Sequence, residues 1–216
     1  FCDLAKHKVF DVVKGRSQAD LHQYLSELPG KDKVKVICID LSPSYRQLIK
    51  RYFPNAKTVA DRFHVIRLIN QLCMQSYQTL DAKTKYQRGI LSLLRTKPEN
   101  LNPTQTLKRD NYLQQQPVIA ALYHFKQRLH RLLLNKHRTV KQCKRLLPLF
   151  LQYLQMLKQS PFKALQTLGK TLTTWQEEIV RMWRFTKNNG ITEGFHRKMK
   201  LIQRRAYGFR NFENYR

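Results

Sequence analysis

The chain has 216 residues, of which 42% are hydrophobic and 25% are charged, enough apolar material for one compact core. Its 41 Lys and Arg face only 14 Asp and Glu, a formal net charge of +27. This composition excludes a disordered polyelectrolyte, and the charge makes nucleic acid the leading partner, with an anionic membrane surface as the alternative. No apolar run reaches the roughly 20 residues that a bilayer span needs, and no membrane partner is expected.

The first 61 residues predict short strands alternating with helices, from β-branched runs and from Ser, Pro and Gly at their borders. In chain order these are a hairpin from residues 1–4 and 8–13, a helix from Ser17 to about Leu28, a strand at 34–39, a helix from Ser42 to about Phe53 and a strand at 57–60. The four cysteines are far apart and form no CxxC pair, which argues against structural zinc and favours a reducing cytoplasm.

The rest of the chain predicts helices. Residues 62–189 hold 23 basic and 5 acidic residues, and their apolar positions follow a helical period. Four prolines are expected to separate these helices: Pro98, Pro103, Pro148 and Pro161. A final helix is predicted to start near Asn189–Gly190.

Three acidic residues are candidates for chemistry because of their positions. Asp40 and Asp61 each follow a predicted strand, and Glu193 lies near the start of the last helix. Carboxylates at the ends of parallel strands point into the crevice where α/β folds bind ligands, and several together can hold two Mg²⁺ ions for cleavage of phosphodiesters. His64 stands three residues after Asp61.

Each candidate also has a simpler interpretation. An Asp after a strand is more often a helix N-cap than a metal ligand. Glu193 at i,i+4 from Arg197 is typical of a solvent-exposed ion pair. His64, among apolar helix residues, is more often a packed, hydrogen-bonded histidine. These alternatives stay open on pattern alone.

The order of elements favours a particular fold class. Hairpin, helix, strand with Asp, helix and strand is the order of a ribonuclease-H-like α/β core whose first strand is missing. In that order Asp40 would be the second acidic residue of the site, and the first strand is expected upstream of Phe1.

Several sequence blocks resemble one transposase family. They are Phe53-Pro-Asn-Ala56, Val59-Ala-Asp-Arg-Phe-His-Val65, Asn189-Gly-Ile-Thr-Glu-Gly194 and Ile202-Gln-Arg-Arg-Ala-Tyr-Gly-Phe-Arg-Asn211. Together, in this order, they resemble the ISL-three (ISL3) group of bacterial insertion-sequence transposases over most of the chain. The resemblance is weakest in the helical middle.

The resemblance implies a DDE transposase with Asp40 as the second catalytic Asp and Glu193 as the catalytic Glu, both metal ligands. Asp61 and His64 match an Asp-x-x-His motif that supports the active site. The implied domains are a first part of the core at 1–65, an all-helical basic insertion at 66–187, and a catalytic-Glu helix with a basic tail at 188–216. The first catalytic Asp has no counterpart here, so an incomplete, inactive copy is expected.

The implied reaction is cleavage and transfer of DNA strands with two Mg²⁺ ions, for which Mn²⁺ is expected to substitute. Its partners would be double-stranded DNA at the transposon ends and target, within a homodimer or larger synaptic assembly in the bacterial cytoplasm, associated with the nucleoid. Basic residues near the metals are expected to bind phosphates: Arg197, Lys198, Lys200, Arg204, Arg205 and Arg210. The main alternative is a non-catalytic nucleic-acid-binding protein built from basic helices, and a peripheral membrane protein is third.

Overall fold

The computed structural model describes residues 1–3, 6, 8–15, 17–185, 190–208 and 211–215. It is an α/β structure that is mostly helical. Short strands and two helices occupy the first 61 residues, and helices follow to the end of the described chain. The three-domain division predicted from the sequence stays a prediction.

The chain begins with a small hairpin. Strand β1 (Cys2–Asp3) pairs antiparallel with β2 (Lys8–Val9), so β2 is shorter than the predicted 8–13. Helix α1 (Gln18–Glu27) follows. As predicted, Ser17 caps it: its side chain accepts from the N–H of Asp20, whose carboxylate accepts from the Ser17 N–H.

A strand–helix–strand unit comes next. Strands β3 (Val36–Ile39) and β4 (Lys57–Ala60) are parallel neighbours, joined by helix α2 (Pro43–Tyr52). The β-branched run and the Ser-Pro helix start predicted these elements close to their observed bounds. A parallel pair needs such a crossover connection, and a helix supplies it.

Residues 66–185, the described part of the region predicted to be helical, consist of helices and the connections between them. Helices α3 to α9 are, in order, Arg62–Leu80, Arg88–Arg95, Pro103–Gln115, Pro117–Leu133, Val140–Lys158, Lys163–Thr174 and Gln176–Arg181. Helix α10 (Gly190–Arg205) starts where the sequence predicted, and α11 (Phe212–Tyr215) ends the described chain. Among the described helices, none has the length and apolar character to cross a bilayer.

One predicted helix break is wrong. Pro148 lies inside α7 rather than between helices. Its missing N–H leaves the Lys144 carbonyl without a helical donor, but both residues are exposed, so water can bond that carbonyl. Burial of Phe150, Leu154 and Leu157 on the following turns offsets the cost of the proline.

The helical core is built around α3. Its buried residues Val65, Ile69, Cys73 and Tyr77 recur every four positions and so form one face. Helix α3 packs against both α6 and α8, while α9 packs against β4. The core is therefore continuous from the helices to the parallel strands.

Candidate active site

Asp40 and Asp61 lie side by side at the carboxyl ends of β3 and β4. The register pairs Ile39 with Ala60, and the N–H of Asp61 donates to the carbonyl of Ile39 across 2.6 Å. Neighbouring strands are about 4.8 Å apart, so the two aspartates start about one strand spacing from each other. The structure thus brings together two of the sequence-predicted residues, at the sheet edge where α/β folds bind ligands.

The Asp61 carboxylate is buried, and both of its oxygens have partners. Asp61 is 0% exposed. Oδ1 accepts from the backbone N–H of Phe63 at 3.2 Å, and Oδ2 accepts from Nδ1 of His64 at 2.8 Å. The first contact caps the N-terminus of α3. Asp61 therefore fixes the start of this helix and the orientation of His64.

The hydrogen bond to Asp61 also determines what the other ring nitrogen of His64, Nε2, can do. Because Nδ1 donates to the carboxylate, Nε2 is the acceptor in the neutral ring and a second donor once the ring is protonated. The His64 side chain is 29% exposed, and the Phe63 ring packs edge-on with centroids 5.4 Å apart. Solvent can therefore reach a histidine whose ring is held in place.

Asp40 differs from Asp61 because its carboxylate accepts no hydrogen bond from the residues that the structure describes. Its carbonyl accepts from the N–H of Ser42 at 2.7 Å in the turn that leads into α2. Ser42, not Asp40, is the N-cap of that helix. Asp40 is partly exposed, so its carboxylate is available to bind a cation.

The Cys38 thiol lies close to the charged residues of this sheet edge. Burial, together with the negative charges of Asp61 and Asp40, raises the pKa of the Cys38 thiol to about 12, and the positive charge of Arg62 opposes this rise. The thiol is therefore neutral at ordinary pH. A cation that binds beside Asp40 is attracted by the carboxylates of Asp40 and Asp61 and repelled by the Arg62 guanidinium.

Arg62 joins this edge to the end of the helical region. It is 8% exposed, and its Nη2 donates to the carbonyls of Met182 at 2.5 Å and Asn135 at 3.2 Å. Burial lowers its pKa, yet a guanidinium starts so high that it keeps its charge. Since Arg62 directly follows Asp61, the Met182 carbonyl lies near the end of β4. Sequence patterns did not predict this contact.

Two further arginines hold the same part of the chain. Arg181 donates to the carbonyl of Thr58 in β4 at 3.1 Å. Arg46 of α2 forms an ion pair with Glu178 of α9. The end of the helical region, just before residue 186, therefore packs against the strand–helix–strand unit.

Helix α10 carries the third sequence-predicted acid. Glu193 lies in its first turn, and the structure describes its backbone only. The spacing of Glu193, Arg197, Lys200 and Arg204 places them along one helix face. The predicted phosphate-binding residues of this helix are exposed: Arg197, Lys198, Lys200, Arg204 and Arg205. Arg210 lies outside the described residues, and convergence of Glu193 with Asp40 stays a prediction.

A basic region on α6 to α8 was missed as a specific candidate. Between Asp110 and Glu177 the chain has 11 Lys and Arg and no Asp or Glu, a run that a local charge count finds directly. Six of these residues cluster around the α6–α7 connection and are exposed: Arg128, Arg131, Lys136, Lys141, Lys144 and Arg145. We call these six the α6–α7 basic surface. It offers a polyanion several cations from a stretch of the sequence that contains no acid.

Asp40 is the described residue best suited to bind a metal ion. Within the described ranges, no three His, Cys, Asp or Glu side chains group as a metal site. The unpaired Asp40 carboxylate nevertheless has the oxygen donors that Mg²⁺ prefers. A complete site would need carboxylates beyond the two aspartates described here.

Comparison with known proteins shows that this chain is similar to transposases. The family model of DDE transposases of the ISL3 group, described as "Transposase", matches residues 1–216. The chain is 26% identical over 217 residues to the transposase for insertion sequence element IS1001 of Bordetella parapertussis. That alignment covers 95% of this chain and 52% of the relative, so the chain spans about half the length of this curated protein. No solved structure matches.

Proposed function

Because this chain belongs to the ISL3 family of DDE transposases, we propose that it forms the catalytic region of an enzyme that cleaves and joins DNA strands by phosphoryl transfer. Asp40 and Glu193 are its second and third acidic residues. The observation that carries the proposal is the unpaired carboxylate of Asp40 at the carboxyl end of the β3–β4 sheet.

The order of elements supports a ribonuclease-H-like core. Among the described residues β3 hydrogen-bonds to β4 only, so its other edge has room for a strand. Apolar side chains are partly exposed there and on the hairpin: Val36 is 36% exposed, Val9 38% and Phe10 62%. A strand between the hairpin and β3 would cover such residues and carry the first Asp. The proposal places that strand outside residues 1–216.

Mg²⁺ fits the donor that the structure offers. Asp40 presents hard carboxylate oxygens next to the Asp61 carboxylate, and Glu193 adds the same donor type. We propose that both residues hold two Mg²⁺ ions together with the first Asp, and that Mn²⁺ substitutes. When bound, the two ions supply an activated oxygen nucleophile and neutralise charge on the phosphate.

The chain's own residues position this chemistry. Asp61 holds the His64 ring, whose Nε2 accepts a hydrogen bond from water or, when protonated, donates one to a phosphate oxygen. Arg62 holds the carbonyl of Met182. The eight residue-to-residue steps from Met182 to Gly190 span at most about 28 Å, which limits how far α10 can start from the sheet edge.

DNA is bound by charge on two parts of the chain. The exposed basic residues of α10 follow Glu193 and would bind phosphates near the reaction. The α6–α7 basic surface would bind a second stretch of the duplex through its backbone, without reading its sequence. The proposed partners are the transposon ends and the target DNA in the bacterial nucleoid, and the working form is a homodimer or larger synaptic assembly.

The alternative functions fit fewer observations. A non-catalytic nucleic-acid-binding protein explains the charge but assigns no role to the available Asp40 carboxylate next to the Asp61–His64 pair. A peripheral membrane protein would present Trp to the lipid interface, whereas Trp175 and Trp183 are 3% and 0% exposed.

The decisive experiment is a cleavage assay on a chain extended upstream by the expected first strand. Asp40→Asn and Glu193→Gln should each abolish Mg²⁺-dependent cleavage of transposon-end DNA, because they remove metal-binding charge and keep shape. Binding of the same DNA, measured by gel shift, should not change. Asp32→Asn and Glu99→Gln, at exposed acids outside the site, are the matched controls and should cleave normally.

Two results would contradict the assignment. If Asp61→Asn abolishes cleavage while Asp40→Asn does not, Asp61 is the second catalytic residue. If the extended chain binds transposon ends but shows no metal-dependent cleavage under any condition, the non-catalytic alternative holds.

A further inference from the structure

Tyr86 is a large aromatic residue that the core does not use. It is 89% exposed and borders an open hollow between the segment before α4 and helix α5. The hollow measures about 570 Å³, and its lining residues are Tyr86, Gln87, Gly89, Ile90 and Lys108. A tyrosine this exposed gains almost nothing from burial, so its ring is available to a ligand.

The segment that presents Tyr86 is fixed by hydrogen bonds. Asp81 accepts from the N–H of Lys83 at 3.0 Å and from the hydroxyl of Tyr112 at 3.0 Å. The buried Thr84 donates to the Asp81 carbonyl at 2.6 Å, and the Tyr86 N–H donates to the Lys83 carbonyl at 3.1 Å. The backbone below the ring is therefore held in one conformation before any ligand binds.

The charge around the hollow is positive. Lys83 and Lys108 are both exposed: Lys108 lines the hollow, and Lys83 lies one turn before Tyr86, whose N–H donates to the Lys83 carbonyl. The two neighbouring acids are already engaged, Asp81 in the bonds above and Asp110 in an ion pair with Arg109 at 2.7 Å. A phosphate that approaches the hollow is attracted by both lysines.

We propose that this hollow binds single-stranded DNA, with an unpaired base stacked on the Tyr86 ring and adjacent phosphates on Lys83 and Lys108. Stacking of bases on exposed aromatic rings beside a cationic groove is how proteins bind single strands without sequence preference. Space is available, since no heavy atom lies within 4 Å of a Cβ placed on Gly89. The site rests on the DNA binding in the proposed function but not on cleavage.

The test compares single-stranded and duplex DNA of equal length by fluorescence anisotropy, with the 216-residue chain. Tyr86→Ala should weaken binding of the single strand about tenfold and leave duplex binding within about twofold. Tyr86→Trp should retain binding, because it keeps a stacking surface. Phe10→Ala removes another exposed aromatic ring and is the matched control, expected to bind like the unmodified chain.

The possible outcomes distinguish failure of this site from failure of the proposed function. Equal loss on both DNA forms, or none on either, would overturn the stacking site. If the unmodified chain binds neither form, the DNA binding in the proposed function fails and this site with it. If it binds DNA and Tyr86→Ala changes nothing, only this site fails. Thermal unfolding should be unchanged by Tyr86→Ala because the ring is exposed, so a lost fold would not explain weaker binding.

Discussion

Arg46 and Glu178, 132 positions apart in the chain, form a two-point ion pair that joins α2 to α9. Nε donates to Oε1 at 2.7 Å, and Nη2 donates to Oε2 at 3.0 Å. Arg46 also donates to the carbonyl of Thr174 and lies 4.8 Å from the Trp175 ring centroid. Because Glu178 is only 3% exposed, the pair holds the helical region against the strand–helix–strand unit in a mostly dry contact.

Removal of Arg46 should be costly. Arg46→Met leaves the Glu178 carboxylate buried without its cation, which is expected to lower the free energy of unfolding by about 3 kcal/mol. Urea unfolding measures the loss, and Lys50→Met, at an exposed cation of the same helix, is the control and should change little. A loss below about 1 kcal/mol for Arg46→Met would show that water replaces the arginine.

Two glycines should respond oppositely to the same substitution. A Cβ on Gly169 would lie 2.9 Å from the Leu157 Cβ and 2.9 Å from the Lys158 backbone nitrogen, where α8 approaches α7. Gly169→Ala is therefore expected to cost about 1–3 kcal/mol by overpacking. Gly89→Ala, in open space on α4, should stabilise the chain by about 0.5 kcal/mol through helix propensity. Equal melting temperatures for the two variants would contradict the close approach of α7 and α8.

His130 should make the fold sensitive to acid. It is 6% exposed, and burial together with the charges of Lys126 and Lys97 lowers its pKa from 6.5 to about 4. Because this pKa is lower in the folded state, the unfolded chain takes up the proton first as the pH falls. The contribution of neutral His130 to the free energy of unfolding is therefore fully present above pH 6.5 and is lost as the pH falls through about 4. The loss is up to about 3 kcal/mol. Urea unfolding from pH 7 to pH 4 should show this loss, and His130→Leu should flatten it; identical pH profiles would show that His130 is protonated in the fold.

The strand–helix–strand unit was predictable because its determinants are local. A β-branched run, a Ser-Pro helix start and a short strand mark β3, α2 and β4, and an acid follows each strand. The sequence could not give the register that pairs Ile39 with Ala60, since register depends on packing of both strands. Dependence on packing also explains the wrong prediction at Pro148. Local rules predict a helix break at this proline, but burial of neighbouring residues in the core keeps it within α7.

Contacts between distant residues were beyond prediction for a related reason. Arg46 contacts Glu178, and Arg62 contacts the carbonyl of Met182. Neither contact produces a periodic pattern in the sequence from which it could be predicted. The exposure of Tyr86 likewise depends on tertiary structure. A tyrosine on the apolar face of a helix would be predicted to lie in the core. The acid-free run from 111 to 176, in contrast, is visible in the composition.

Asp40 and Asp61 should contribute differently to stability. Asp61→Ala removes the N-cap of α3 and the acceptor of His64, at an expected cost of about 2 kcal/mol. Asp40→Ala should change the free energy of unfolding by less than about 0.5 kcal/mol, since no described group donates to that carboxylate. Chemical unfolding of both variants gives the comparison. If Asp40→Ala costs as much as Asp61→Ala, the Asp40 carboxylate has a structural partner and its availability to a cation is refuted.

The α6–α7 basic surface should determine how DNA binding depends on salt. A protein that neutralises several phosphates releases their counterions, so log K falls linearly with log salt at about 0.9 per phosphate on duplex DNA. Replacement of Lys144 and Arg145 by Gln should lower that slope by about two and weaken binding uniformly across sequences. Lys31→Gln with Lys33→Gln removes the same charge from the first segment and should leave the slope nearly unchanged, because that segment lies outside the proposed surface. The measurement is a titration of duplex binding between roughly 50 and 200 mM salt. Equal slope changes in the two double variants would mean that total charge, and not this surface, binds the DNA.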